Sequence, residues 1–231
     1  PIEVTVDACL FDMDGTLVDS TPAVEGYLSK WARLQGVEPA AFFEVAHGRR
    51  ARDHVKIFQT VPVLGSSLTE AELDDAAREI ESSVLEEGRV LSEAGKDGIT
   101  CLPGVGKLLS ALKQGGARWG VVTSATNSYA SSALSTAGIG STPPAVPFLV
   151  TADLVTHGKP HPEPYLAGLA ELNKLGGPPI DPKRVLVLED APPGLASGLA
   201  AGCQTLAVCT GQPRSKIRAA ASTYRSVDFN R

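Results

Sequence analysis

The chain reads as an α/β protein: a doubly wound parallel sheet with a helical insertion. Three features point to this class. Short apolar runs alternate with helical patterns along the chain. The runs are near-continuous rather than alternating, as in parallel strands covered on both faces. The first run is also separated from the second by roughly a hundred residues, too many for one crossover. The expected core is Rossmann-like over residues 1–18 and 102–231, with a helical insertion over 19–101 that has its own small core.

The strands are expected at Val4–Phe11, Trp119–Thr123, Phe148–Thr151, Arg184–Leu188 and Thr205–Val208. Between them, Val105–Lys113, Ser128–Ala137, Pro164–Lys174 and Pro193–Ala201 are long enough for crossover helices. In the first of these, Val105, Leu108, Leu109 and Leu112 share one face, and Asn127 is a suitable N-cap for the second. Within the insertion, Val24, Tyr27, Leu28, Trp31 and Leu34 recur at helical spacing. Thr69 and Glu72 form a capping box ahead of a stripe of Leu73, Ala76, Ala77, Ile80 and Val84. Pro103-Gly104 marks the return to the sheet, and Gly115-Gly116, Pro143-Pro144 and Gly176–Pro179 read as loops. Tyr224–Phe229 reads as a last edge strand.

Composition narrows the function. With 43% hydrophobic and 20% charged residues over 231 positions, disorder is excluded. The net charge is −5 and the isoelectric point about 5.4, so no global field favours nucleic acid or an anionic membrane. An anionic small-molecule substrate has to be held by local cations, a metal or backbone N–H groups. The four cysteines are scattered, without a CxxC pair, and Cys9 and Cys203 read as buried free thiols. No apolar run reaches about 18 residues, and the acidic start reads as a strand rather than a signal peptide. A cytoplasmic monomer is expected.

The chemistry lies at the strand ends. The first strand runs into Asp12-Met13-Asp14-Gly15-Thr16, in which two carboxylates two residues apart share one side of an extended chain. The second ends in the hydroxyl-rich turn Thr123–Asn127, where free N–H groups at a helix start can cradle a phosphate. Gly158-Lys159-Pro160 places a lysine between turn residues, and the strand Val185–Leu188 delivers Glu189 and Asp190 to the same edge. Apolar strands that converge four carboxylates call for a cation, and an all-oxygen donor set suits Mg²⁺.

In this order, the motifs resemble those of the haloacid dehalogenase superfamily: Asp12–Thr16, Ser124, Lys159 and Glu189-Asp190. His47–Arg50, Gly158–Tyr165 and Glu189–Gly194 look like fungal glycerol-phosphate and 2-deoxyglucose-6-phosphate phosphatases. The resemblance implies Mg²⁺-dependent hydrolysis of a small polyol or sugar phosphate. In it, Asp12 is the nucleophile and Asp14 the acid/base. Ser124, Ala125 and Lys159 hold the phosphoryl group. The metal is bound by Asp12, Asp190 and the Asp14 carbonyl, and by Glu189 directly or through water. The alternative within the superfamily is a sugar phosphomutase. Mutases carry a gating histidine on the first cap helix where this chain has Val24. An inactive scaffold on the same fold is disfavoured by the intact motifs.

His47, Gly48, Arg49 and Arg50 form a basic turn within the cap and are expected to read the leaving group. The remaining notable residues have plainer readings. Pro160 forbids a helix joining His157 to His161, which argues against a histidine metal site. His54 reads as cap surface, and Trp31 and Trp119 as packing.

Overall fold

The computed structural model describes residues 3–46, 50–59, 68–141, 145–211 and 213–223. The chain enters through β1 (Ala8–Phe11) and turns into the short β2 (Val18–Asp19). It then forms four helices: α1 (Thr21–Leu34), α2 (Pro39–Ala46), α3 (Ala51–Gln59) and α4 (Glu70–Glu93). β3 (Thr100–Cys101) pairs antiparallel with β2, so the two crossings between sheet and helices lie side by side. The chain continues through α5 (Val105–Gln114), β4 (Arg118–Val122), α6 (Asn127–Thr136), β5 (Leu149–Val150) and α7 (Glu163–Lys174). It ends with β6 (Val185–Glu189), α8 (Pro192–Ala200), β7 (Gln204–Ala207) and α9 (Arg214–Thr223).

β1, β4, β5, β6 and β7 form one parallel sheet in the order β5-β4-β1-β6-β7. Phe11 stands opposite Val121 on one side and Leu188 on the other. That register brings the ends of β4, β1 and β6 to one edge, where an open α/β sheet opens its crevice. The strands are apolar on both faces because both are covered. Phe11, Trp119, Val121, Ala130 and Leu134 are buried on one face, and Leu10, Val122, Tyr165, Leu172 and Val187 on the other. Phe11 meets Trp119 edge-on at 5.9 Å, a contact worth about 1 kcal/mol beyond the area it buries.

The helical insertion has its own apolar cluster of Leu28, Ala32, Phe42, Val55, Leu73 and Ile80. α4 starts where the sequence indicates: Thr69 Oγ1 accepts from the Glu72 N–H, and the Glu72 carboxylate accepts from the Thr69 N–H at 2.7 Å. Ala23 and Val84, near the sheet, pack into the same cluster as Phe11 and Met13. The insertion therefore shares apolar contacts with the core.

Several local expectations need correction. β1 begins at Ala8 rather than Val4, because pairing to both neighbours starts only at Ala8, opposite Arg118 and Val185. Leu108 is 40% exposed and faces outward from α5, whereas Val105 is buried. Thr126, not Asn127, caps α6; its backbone is extended and its hydroxyl accepts from the Tyr129 N–H. α9 and the β2–β3 pair carry no clear periodic signal and were not expected. Pro143-Pro144 and Tyr224–Phe229 lie outside the described residues. Among the described residues, no helix is long and apolar enough to cross a membrane.

Candidate active site

β1 delivers Asp12 to the sheet edge, where it is 7% exposed and its N–H donates to the Leu188 carbonyl at 2.9 Å. The chain then reverses at Gly15, whose φ is +78°. A Cβ there would sit 2.3 Å from Asp190 Oδ2, so both conformation and space require glycine. The turn leaves Asp14 facing the cavity. Its Oδ1 accepts from Ser20 Oγ at 2.6 Å and from the Tyr129 hydroxyl at 3.3 Å.

Lys159 enters from the loop before α7, after which the peptide to Pro160 is cis. Its buried ammonium uses all three donors: Asp12 Oδ1 at 2.7 Å, Glu189 Oε1 at 2.6 Å and the Val122 carbonyl at 3.0 Å. Glu189 Oε1 also accepts from the Tyr165 hydroxyl at 2.9 Å, and Oε2 from the Ala191 N–H at 3.3 Å. Both of its oxygens thus meet protein donors, which aligns Glu189 with Lys159 as well as with the acidic cluster.

The electrostatics follow from crowding. Burial, then the Glu189 charge, raises the pKa of Asp12 above the usual carboxylate range, and Lys159 only partly opposes this. Asp190 is pushed well up by burial and by Asp12. Burial also raises Asp14, against the hydrogen bonds from Ser20 and Tyr129. Burial alone would lower Lys159, but Asp12 and Glu189 hold it above the ordinary lysine value. Asp12, Glu189 and Asp190 can each offer an oxygen such that all three lie within 4.8 Å of one another. Lys159 alone cannot balance this charge, and the all-oxygen donor set fits Mg²⁺.

The hydroxyl turn after β4 places Ser124 on the cavity wall. The Ala125 N–H donates to Thr123 Oγ1 at 3.1 Å, a bond with which a phosphoryl oxygen would compete.

The cavity measures about 180 Å³, with Asp12, Asp14 and Ser124 at its base and Val24, Leu28, Phe43, His54 and Glu81 on the helical side. His54 is a correction: it is 8% exposed, packs against the Phe42 ring at 5.8 Å and lines this cavity. Glu81, on the apolar stripe of α4, reaches the core. Its Oε1 accepts from the Thr126 N–H at 3.0 Å, and its other oxygen accepts from the Thr126 hydroxyl. Arg50 makes a second contact of this kind, donating to the Thr156 carbonyl at 3.3 Å while paired with Asp53 at 2.9 Å. His47, Gly48 and Arg49 lie outside the described residues.

Ser20, Tyr129, His54 and Glu81 escaped the sequence reading. Only Glu81 left a usable signal, as a charge set between Ile80 and Val84 on an apolar stripe. The others reach the cavity through the packing of α1 and α3 on α4 and of α4 on α6, which no local pattern encodes.

Residues 6–202 match the family model described as haloacid dehalogenase-like hydrolase. The chain is 41% identical over 199 residues to hexitol phosphatase A of Escherichia coli, covering 86% of this chain and 81% of that protein. It is 34% identical over 216 residues to glycerol-1-phosphate phosphohydrolase 2 of Saccharomyces cerevisiae, covering 91% and 77% respectively. A hydrolase from Pseudomonas syringae, 20% identical, shares the fold with a TM-score of 0.71 over 93% of this chain and 90% of that one. The sheet, the converging strand ends and these matches agree: the chain belongs to the haloacid dehalogenase-like hydrolase family.

Proposed function

We propose that the protein is a Mg²⁺-dependent phosphatase acting on a small polyol or sugar phosphate monoester through a covalent intermediate on Asp12. The observation that carries this reading is the pair of carboxylates at the end of β1. Asp12 is held by Lys159, while Asp14 is raised in pKa by burial and oriented by Ser20 and Tyr129. A second carboxyl oriented beside the carboxylate nucleophile suits a reaction that must protonate an alkoxide leaving group.

In the first half-reaction, a carboxylate oxygen of Asp12 bonds to phosphorus as the bond to the ester oxygen breaks. Asp14 gives its proton to that oxygen. In the second, Asp14 takes a proton from the incoming water, whose oxygen bonds to phosphorus as the Asp12 acyl phosphate breaks. Ser124 and Lys159 hold phosphoryl oxygens, and Lys159 also offsets negative charge on Asp12. When bound by Asp12, Asp190 and the Asp14 carbonyl, with Glu189 in the same cluster, Mg²⁺ supplies charge neutralisation and alignment.

Residues 19–101 act in this reading as a cap that selects the leaving group, with His47, Gly48, Arg49 and Arg50 as the residues that read it. The small cavity, bridged by the hydrogen bonds of Glu81 and Arg50 to the core, supports a site sized for a small molecule. Val24 stands on the cavity wall at the position where the resemblance gives mutases a gating histidine, which favours hydrolysis over the mutase alternative. The names of the two relatives point to polyol phosphates.

The test is phosphate release from hexitol, glycerol, hexose and 2-deoxyglucose phosphates and from nucleotides, each with Mg²⁺ or EDTA. Mg²⁺-dependent turnover that is best on a polyol or sugar phosphate is expected. No release from any ester, or full activity in EDTA, would overturn the reading.

A further inference from the structure

The loop that carries Lys159 also bears His157 and His161, and Glu163 opens α7 directly after it; none of the three lines the cavity. Pro160 does prevent a helix between the two histidines, yet the turn that replaces it brings their rings to 4.6 Å between centroids, tilted by 34°. Glu163 Oε2 is hydrogen-bonded to His157 Nδ1 at 2.9 Å, a bond an ion would replace, and lies 3.9 Å from His161 Nδ1. The three residues can each offer one ligand atom such that all lie within 4.8 Å of one another. Around a tetrahedral ion with bonds of about 2.1 Å, neighbouring donors stand roughly 3.4 Å apart. The two measured separations bracket that value.

The backbone fixes the cluster from several sides. Glu163 Oε1 accepts from the Thr156 N–H at 2.7 Å and Oε2 from the His157 N–H at 2.9 Å, so the carboxylate is oriented before any ion arrives. The His161 carbonyl accepts from Ser197 Oγ at 2.6 Å, and its N–H donates to the Gly158 carbonyl at 3.0 Å. His161 Nδ1 accepts from the Glu163 N–H at 3.2 Å. An ion on that nitrogen would replace this bond, leaving an N–H at the start of α7 in reach of water, at small cost.

We propose that His157, His161 and Glu163 form a second divalent-metal site, for a transition ion such as Zn²⁺, on the loop that presents Lys159. Two imidazoles and one carboxylate favour Zn²⁺ over Mg²⁺, which prefers oxygen donors. Water completes the shell, because the cluster opens to solvent. The ion would tie together the two flanks of the Gly158-Lys159-Pro160 turn. The site is independent of the phosphatase reading.

The experiment is calorimetric titration of Zn²⁺ into the full chain in excess Mg²⁺, for wild type, H157A, H161A and D190A. One equivalent of Zn²⁺ bound at micromolar affinity is expected in wild type and D190A, weakened at least tenfold in both histidine variants. Retention of that binding in either histidine variant, or its loss in D190A, would overturn the proposal. Paramagnetic Ni²⁺ provides a readout that needs no variant. At one equivalent it should broaden the imidazole signals of His157 and His161 before those of the other histidines, and the opposite order would also overturn the site.

Discussion

Gly194 sits in the first turn of α8, directly beneath Glu189. A Cβ added there would lie 1.7 Å from Glu189 Oε1, 1.9 Å from Cδ and 2.4 Å from Oε2. Ordinary carbon contacts need roughly 3.5–4 Å, so the carboxylate would have to retreat by more than an ångström. It has no free direction, because Lys159, Tyr165 and the Ala191 N–H hold it at 2.6, 2.9 and 3.3 Å. Hydrogen bonds to a charged group contribute about 1.5–3 kcal/mol each, and losing one or two outweighs the ~1 kcal/mol that alanine gains over glycine in a helix. The Gly194→Ala variant should therefore be about 2–4 kcal/mol less stable in urea unfolding. Phosphate release should fall on the order of a hundredfold, because Lys159 loses its second anchor beside Asp12. Gly106→Ala is the control. Gly106 lies on exposed α5 with nothing within 4 Å of an added Cβ, so the same substitution should stabilise by about 1 kcal/mol. If Gly194→Ala behaved like Gly106→Ala, with an unchanged rate, Glu189 would not be pinned and its role in holding Lys159 would be wrong.

Asp12→Asn should cut turnover on the order of a thousandfold or more, with near-normal urea unfolding, because it removes the nucleophile and a buried charge while keeping the shape; a near-normal rate would exclude the covalent route. Asp190→Ala should lower the rate and weaken its Mg²⁺ dependence together, measured as the Mg²⁺ concentration for half-maximal phosphate release. Burial raises the Glu81 carboxyl above its ordinary value, so the folded state keeps this proton to higher pH than the unfolded chain does. Its contribution is fullest below the ordinary value of 4.5 and declines as pH rises through the folded value. Glu81→Gln cannot titrate, so its melting temperature relative to wild type should climb between pH 4 and pH 7; a constant difference would count against a buried, proton-holding Glu81.

The strand ends were legible from sequence because their signals are local. An apolar run followed by Asp12-Met13-Asp14-Gly15, or by Glu189-Asp190, states both the element and the chemistry at its tip. The same holds for the Thr69–Glu72 capping box, whose bonding partners lie three residues apart. What tertiary structure alone decided depends on residues far apart in the chain. Lys159 can bridge Asp12 and Glu189 only because the parallel register of β1 and β6 sets those two carboxylates side by side. Glu81 meets Thr126 only because α4 packs over α6, and His54 turns inward because Phe42 and the apolar cluster of the helical insertion supply a wall for it. His157 and His161 illustrate the limit of local reasoning most plainly. The proline that rules out a helix was read correctly, but a turn can converge side chains as well as a helix can, and which turn forms is set by anchors such as Ser197, 36 residues away. Periodicity and motif order record what a segment buries and which groups it carries, whereas the distances between those groups arise only when the sheet closes.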